Sequence, residues 1–222
     1  MRELIERYRL RELVGIGSAG LMAIISYVPV YSSHDLRQLA VALSFLAVFA
    51  LRLALFVWNR RVEGREDEGR SRAKMMVVAA VVLLFLHVTI LVSVLYQLLY
   101  AEGTPLMASS IHLALAYGVY AVARMVLSAR GMARRRKENL YAETLGYISW
   151  IMAFYTLALF TNYLLILEDA DTLVWPRYIM ISCMGLLTLV LAAIMLSKGI
   201  RALGTLGRKA DAREASPARS GE

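Results

Sequence analysis

Two arginines, a histidine and a row of hydroxyls are the residues of this chain best suited to chemistry. Apart from Arg177 at the start of the last one, Arg52 and Arg124 are the only charged residues inside its long apolar stretches. A guanidinium stays protonated and offers five donors in a fixed fork, so it recognises anions. At ~100° per residue, Ser110, Leu113, Tyr117, Tyr120 and Arg124 fall within about 40° of one helical direction. Hydroxyls ending in a cation are expected to face protein or water, and Arg124 is therefore a candidate anion contact. Arg52 shares its face with Val41, Phe45 and Val48, and is expected to snorkel to the nearby interface. His87 lies near the middle of its apolar stretch. Ionisable groups at such depth are functional candidates; the plainer reading is a neutral imidazole with one partner on a neighbouring helix. Tyr155 and Asn162, seven residues apart, share a helical face. His87, Ser110, Tyr117, Tyr120, Arg124, Tyr155 and Asn162 are thus the candidates for lining a polar path.

Other chemistries lack their residues. There is no HExxH, no GxSxG and no pair of carboxylates inside an apolar stretch, so no catalytic residue is assigned and an enzyme is disfavoured. The single cysteine, Cys183, excludes an internal disulfide and thiolate metal frameworks; it is expected to be a small packed hydrophobe. His34 and His112 fall near the opposite membrane face from the depth of His87, so no metal site is expected. The run from Gly15 to Gly20 matches GxGxxG in letters. That fingerprint requires a preceding strand and a βαβ unit, whereas here it opens an apolar run. No cofactor follows from it. The spacing instead places Gly15, Ala19 and Ala23 on one face, as it does Ser110, Ala114 and Gly118, and small residues let membrane helices approach closely.

The elements that must hold these residues are helices. Residues 75–100 contain no Asp, Glu, Lys or Arg, and as a helix would reach ~39 Å against a hydrocarbon core of ~30 Å. Five further stretches share that character. The expected fold is an all-α integral membrane protein with six transmembrane helices at about 13–31, 39–58, 75–100, 106–128, 144–167 and 174–197, arranged as three hairpins. Residues 1–12 form a charged interfacial segment, 13–198 the membrane domain, and 199–222 a tail expected to be disordered. The three hairpins have similar lengths, with Tyr27, Tyr96 and Tyr163 at similar places, as a triplicated unit would have.

Charge gives the threading. Of the 25 basic residues, 21 fall in residues 1–12, 59–74, 129–143 and 198–222. By the positive-inside rule these face the cytoplasm, placing both termini there, in a multi-pass protein of the plasma (inner) membrane. The chain's partner is the lipid bilayer, with anionic lipid at Arg134, Arg135, Arg136 and Lys137. A homo-oligomer or a membrane protein partner fits the small-residue faces; nucleic acid does not, because no recognition module accompanies the basic runs. No Asp or Glu falls within a span, which counts against proton coupling. The expected function is a permease or channel for a neutral or anionic small solute. The alternative is a non-transporting subunit, scaffold or regulator of a larger membrane complex.

Overall fold

The computed structural model describes residues 2–33, 36–100, 115–126, 140–167 and 174–214. They form six helices and, among the described residues, no strand: α1 (Arg2–Ser33), α2 (Leu36–Val62), α3 (Glu68–Tyr100), α4 (Leu115–Val126), α5 (Leu140–Leu167) and α6 (Val174–Glu214). Four segments are long and apolar enough to cross a membrane: Leu39–Val62, Glu68–Val88, Leu140–Thr161 and Ser182–Arg208. Glu12–Val28 and Leu115–Val126 are shorter apolar helices. Large apolar side chains cover the outer surface, among them Ile24, Phe85, Val119 and Leu186. A water-facing surface rarely exposes so much contiguous apolar area, and helices are one of two structures that satisfy every backbone group within lipid. The chain is a helical membrane protein.

The turn between α2 and α3 shows why the helices break where they do. Gly64 takes φ 82°, a left-handed conformation that costs other residues more, and its N–H donates to Glu68 Oε2 at 2.8 Å. Asp67 leads into α3, its carboxylate accepting from Ser71 Oγ at 3.1 Å and its carbonyl from the Ser71 N–H at 2.9 Å. Glu68 and Arg72 pair one turn apart at 2.5 Å, and Arg72 Nε donates to Asn59 Oδ1 at 3.2 Å. The acid near the N-terminus of α3 also suits the helix dipole.

Packing pairs α1 with α2, α3 with α6 and α5 with α6. The α3–α6 approach is close at Gly199, where a methyl group would lie 2.7 Å from Val77 Cγ2 and 3.2 Å from the Val77 backbone nitrogen. Glu143 on α5 holds Lys198 on α6. The described part of α4 meets α1, α2 and α5: Tyr117 bonds Ser26, its ring stacks on Phe45, and Gly118 leaves room for the Phe160 ring at 3.0 Å.

Two boundaries differ from expectation. The first helix is continuous from Arg2, with no break between the interfacial segment and the apolar run. The sixth runs on to Glu214, through residues expected to be a disordered tail. The sequence there is rich in Ala, Leu, Lys and Arg, all good helix formers, and Leu206 packs over Gly69 at the start of α3. Cys183 is exposed on α6 rather than packed inside.

Candidate functional site

The site starts at Gly15, on α1. A methyl group there would collide with Arg52 Nη1 and lie 3.5 Å from Arg124 Nη1. The two guanidinium ends, from α2 and α4, therefore meet across a space about the size of one methyl group. Both arginines are buried within the protein, Arg52 at 4% and Arg124 at 6% exposure. Arg124 Nη2 donates to the Gly15 carbonyl at 2.8 Å and also to Ser18 Oγ. Arg52 Nη2 donates to Ser149 Oγ, on α5, at 2.7 Å.

The serines are turned to accept. Ser18 spends its own hydrogen on the Gly15 carbonyl at 3.1 Å, and Ser149 on the Leu145 carbonyl at 2.8 Å. A serine on a helix that donates back to the preceding turn presents its lone pairs outward, here to a guanidinium. Tyr120 places its ring against Arg124, with the guanidinium carbon 5.0 Å from the centroid, a cation–π contact. Among the described residues, three acceptors and one ring face two groups that together carry ten N–H donors. Arg52 Nε is buried with no hydrogen-bond partner among the described residues.

No carboxylate among the described residues lies within ion-pair distance of either arginine. Glu12, one helical turn before Gly15, is the acid whose field reaches Arg52. Burial holds its carboxyl above the usual range, against the pull of the Tyr141 hydroxyl and of Arg60. Unit charges ~6 Å apart, about the most that the two contacts at Gly15 allow for the Nη1 atoms, repel by about 3 kcal/mol at an effective dielectric of ~20. Such an arginine pair, short of acceptors and with no carboxylate partner among the described residues, has the donors with which guanidinium groups bind anions.

Beside the arginines the interior is filled. Phe45, fully buried, touches Tyr117 (6.0 Å, stacked), Tyr120 (5.9 Å, edge-on) and Tyr155 (5.7 Å, tilted). Aromatic contacts of this kind add to area burial. Tyr117, Tyr120 and Tyr155 are therefore brought together, around a phenyl ring. Ser26 bonds the Tyr117 hydroxyl at 2.9 Å.

His87 belongs to another interface. Its ring lies 2.9 Å from Thr188 Oγ1 on α6. Thr188 gives its hydrogen to the Gly185 carbonyl at 2.7 Å, so the imidazole N–H donates to Thr188. No contact among the described residues joins His87 to the arginines. Ser110, Ala114 and residues 134–137 lie outside the described residues, as does the side chain of Asn162.

The small residues divide by role. Ala19 and Ala23 are buried in the packed core, and Gly118 accommodates a ring. Gly15 instead makes space for the two guanidiniums, a role that packing logic did not anticipate. Arg52 does not snorkel; its apolar face, with Phe45 and Val48 almost fully buried, points into the bundle. The signal for both lay in position: Gly15, Arg52 and Arg124 each sit near the end of their stretch that adjoins a basic segment. No protein-family model matches this chain, and no curated protein matches it either.

Proposed function

We propose that this protein is a small permease- or channel-like membrane protein that takes up a small anion at Arg52 and Arg124. One observation carries the reading: two buried guanidiniums converge on Gly15 with fewer acceptors than donors and no carboxylate partner among the described residues. Ser18 and Ser149 orient the arginines, and Tyr120 backs Arg124. The site favours an anion over the neutral solute that the sequence left open.

The proposed frame is six spans as three hairpins, 13–198, with both termini cytoplasmic in the plasma membrane. The 21 basic residues of the inner segments support it through the positive-inside rule. In that frame the arginines lie toward the cytoplasmic end, and passage requires the Phe45 cluster on their outer side to move.

The filled interior favours a second reading. A bundle whose centre is an aromatic cluster, with its groove on the outer surface, suits a non-transporting subunit or regulator that senses an anion instead of passing it.

Proteoliposome flux separates the two. Phosphate, sulfate, acetate and chloride are each loaded as labelled ions. The permease reading expects at least one to cross faster than in empty liposomes, and the flux to vanish in Arg52→Gln/Arg124→Gln. Binding of an anion without flux, together with a stoichiometric protein partner on native purification, selects the subunit. Absence of both binding and flux sinks the anion site.

A further inference from the structure

A groove of about 780 Å³ runs along the exposed face of α2, a size within the ~300–1,000 Å³ of sites that take small molecules. It is walled by Leu46, Ala50, Ala54 and Val57, spaced at three or four residues, and it ends at Arg61 and Arg65. The alanines leave the floor low. Phe49 is drawn aside onto α1, where its ring packs 3.2 Å from the space over Gly20.

We propose that this groove holds an acyl chain of an anionic phospholipid of the cytoplasmic leaflet, its phosphate on Arg61 and Arg65. The dimensions agree. From Leu46 to Val57 the helix rises ~16 Å, about half of a ~30 Å hydrocarbon core and so one leaflet. Trp58 follows directly, at the depth where aromatic belts mark the membrane interface.

The charges agree as well. The neighbouring cations are occupied: Arg60 pairs with Glu63 at 3.9 Å, and Arg72 with Glu68. Asp67 accepts from the Ser71 hydroxyl and keeps its charge, as does the exposed Glu66. Arg61 and Arg65 are exposed and make no ion pair with any described residue. The Gly64 turn, with its positive φ, returns Arg65 to the mouth of the groove beside Arg61. Two free guanidiniums above an apolar channel match a phosphodiester with one net negative charge. A zwitterionic headgroup brings a cation to the same place and gains less.

The test is native mass spectrometry of the full chain released from nanodiscs that contain equal phosphatidylglycerol and phosphatidylcholine. Wild-type protein should retain one phosphatidylglycerol in preference to phosphatidylcholine. Arg61→Gln/Arg65→Gln should weaken that retention roughly 30-fold, the effect of two headgroup charges at a membrane surface. Ala54→Trp should displace the lipid by filling the groove with both arginines intact. Arg201→Gln, exposed on α6 away from the groove, should leave it bound. Each variant is checked for an unchanged unfolding midpoint, which its exposed position predicts. Equal retention of both lipids overturns the proposal, and so does phosphatidylglycerol undiminished in either groove variant. So too does a dimer that Ala54→Trp converts to monomer without loss of lipid, since that would make the groove an interface between two copies.

Discussion

Arg52→Met tests the arginine pair where intuition points the wrong way. Removing a buried charge that has a resident counter-ion costs about 3–5 kcal/mol, because the partner is left uncompensated. Here, among the described residues, the charge that acts most strongly on Arg52 is another arginine. Neutralising Arg52 relieves about 3 kcal/mol of repulsion at ~6 Å and an effective dielectric of ~20. It also removes the buried unpartnered Nε, worth a further ~1–3 kcal/mol. Against this stands the lost bond to Ser149, a charged hydrogen bond of ~1.5–3 kcal/mol; the Ser149 hydroxyl keeps its bond to Leu145. Methionine has the length to fill the space. The balance is a ligand-free protein about 1–4.5 kcal/mol more stable than wild type. In a chain of this size that raises the thermal midpoint by roughly 2–4 °C per kcal/mol. The assay is thermal unfolding in detergent at low ionic strength, with and without added anion. Wild type should gain about 2.7 kcal/mol at an anion concentration 100 times the Kd, and Arg52→Met should gain almost none. A loss of 3 kcal/mol or more in the ligand-free variant would refute the reasoning, for it would mean that Arg52 already has an acidic partner.

The aromatic centre and the helix contacts give further tests. Phe45→Ala should cost about 3–5 kcal/mol, as for other large-to-small changes at fully buried rings, read in the same unfolding assay; a cost under 1 kcal/mol would mean that the Phe45 cluster is not the packed centre. Gly199→Ala should destabilise despite the better helix propensity of alanine, because the added methyl meets the Val77 backbone, which cannot rotate away; a gain in stability would contradict the close α3–α6 approach. Glu12 sets a pH dependence. Burial holds its carboxyl above its ordinary 4.5, opposed by Tyr141, Arg60 and Arg52 and reinforced by Glu63. The folded state thus favours the protonated form. That contribution is complete below the ordinary value and is lost as pH rises through the raised one. Stability of the wild type should fall across that window, and anion binding should weaken as Glu12 ionises beside Arg52. Glu12→Gln should flatten both, and an unchanged pH profile in that variant would remove Glu12 from the site.

What the sequence could disclose was governed by the solvent. In lipid an apolar face points equally well outward or into the bundle, so the run of Val41, Phe45 and Val48 beside Arg52 did not say which way Arg52 turns. The stripe from Tyr117 to Arg124 was legible, because hydroxyls and a cation avoid lipid whatever surrounds them. Tyr117, Tyr120 and Arg124 do face protein. What the stripe could not reveal is that Phe45 fills the space between its tyrosines, a contact from another helix. The helical extension to Glu214 was hidden by composition: Gly204 and Gly207 read as a tail, while Leu206 packing over Gly69 supplies the tertiary contact that overrides them. The partner of His87 was equally out of reach, since Thr188 lies 101 residues away in sequence.

The position of the arginine pair also bears on direction. Arg52 precedes Arg60 by eight residues, ~12 Å of helix, so on the proposed topology the site opens toward the cytoplasm. An anion captured there and released outside moves with an inside-negative potential, which contributes about 2.3 kcal/mol per charge at 100 mV. The spans hold no carboxylate with which to carry a proton against that force. The same potential opposes entry by an equal amount. Downhill export therefore needs no coupling ion, whereas uptake against the potential would need an opposing concentration gradient or a coupling ion. Proteoliposomes clamped with potassium and valinomycin separate the cases. Anion should leave the compartment that faces the arginine end when that side is negative, and flux should slow on reversing the clamp and ignore an imposed proton gradient. Accumulation driven by the proton gradient, against the potential, would refute the argument and point to an acid supplied by another subunit.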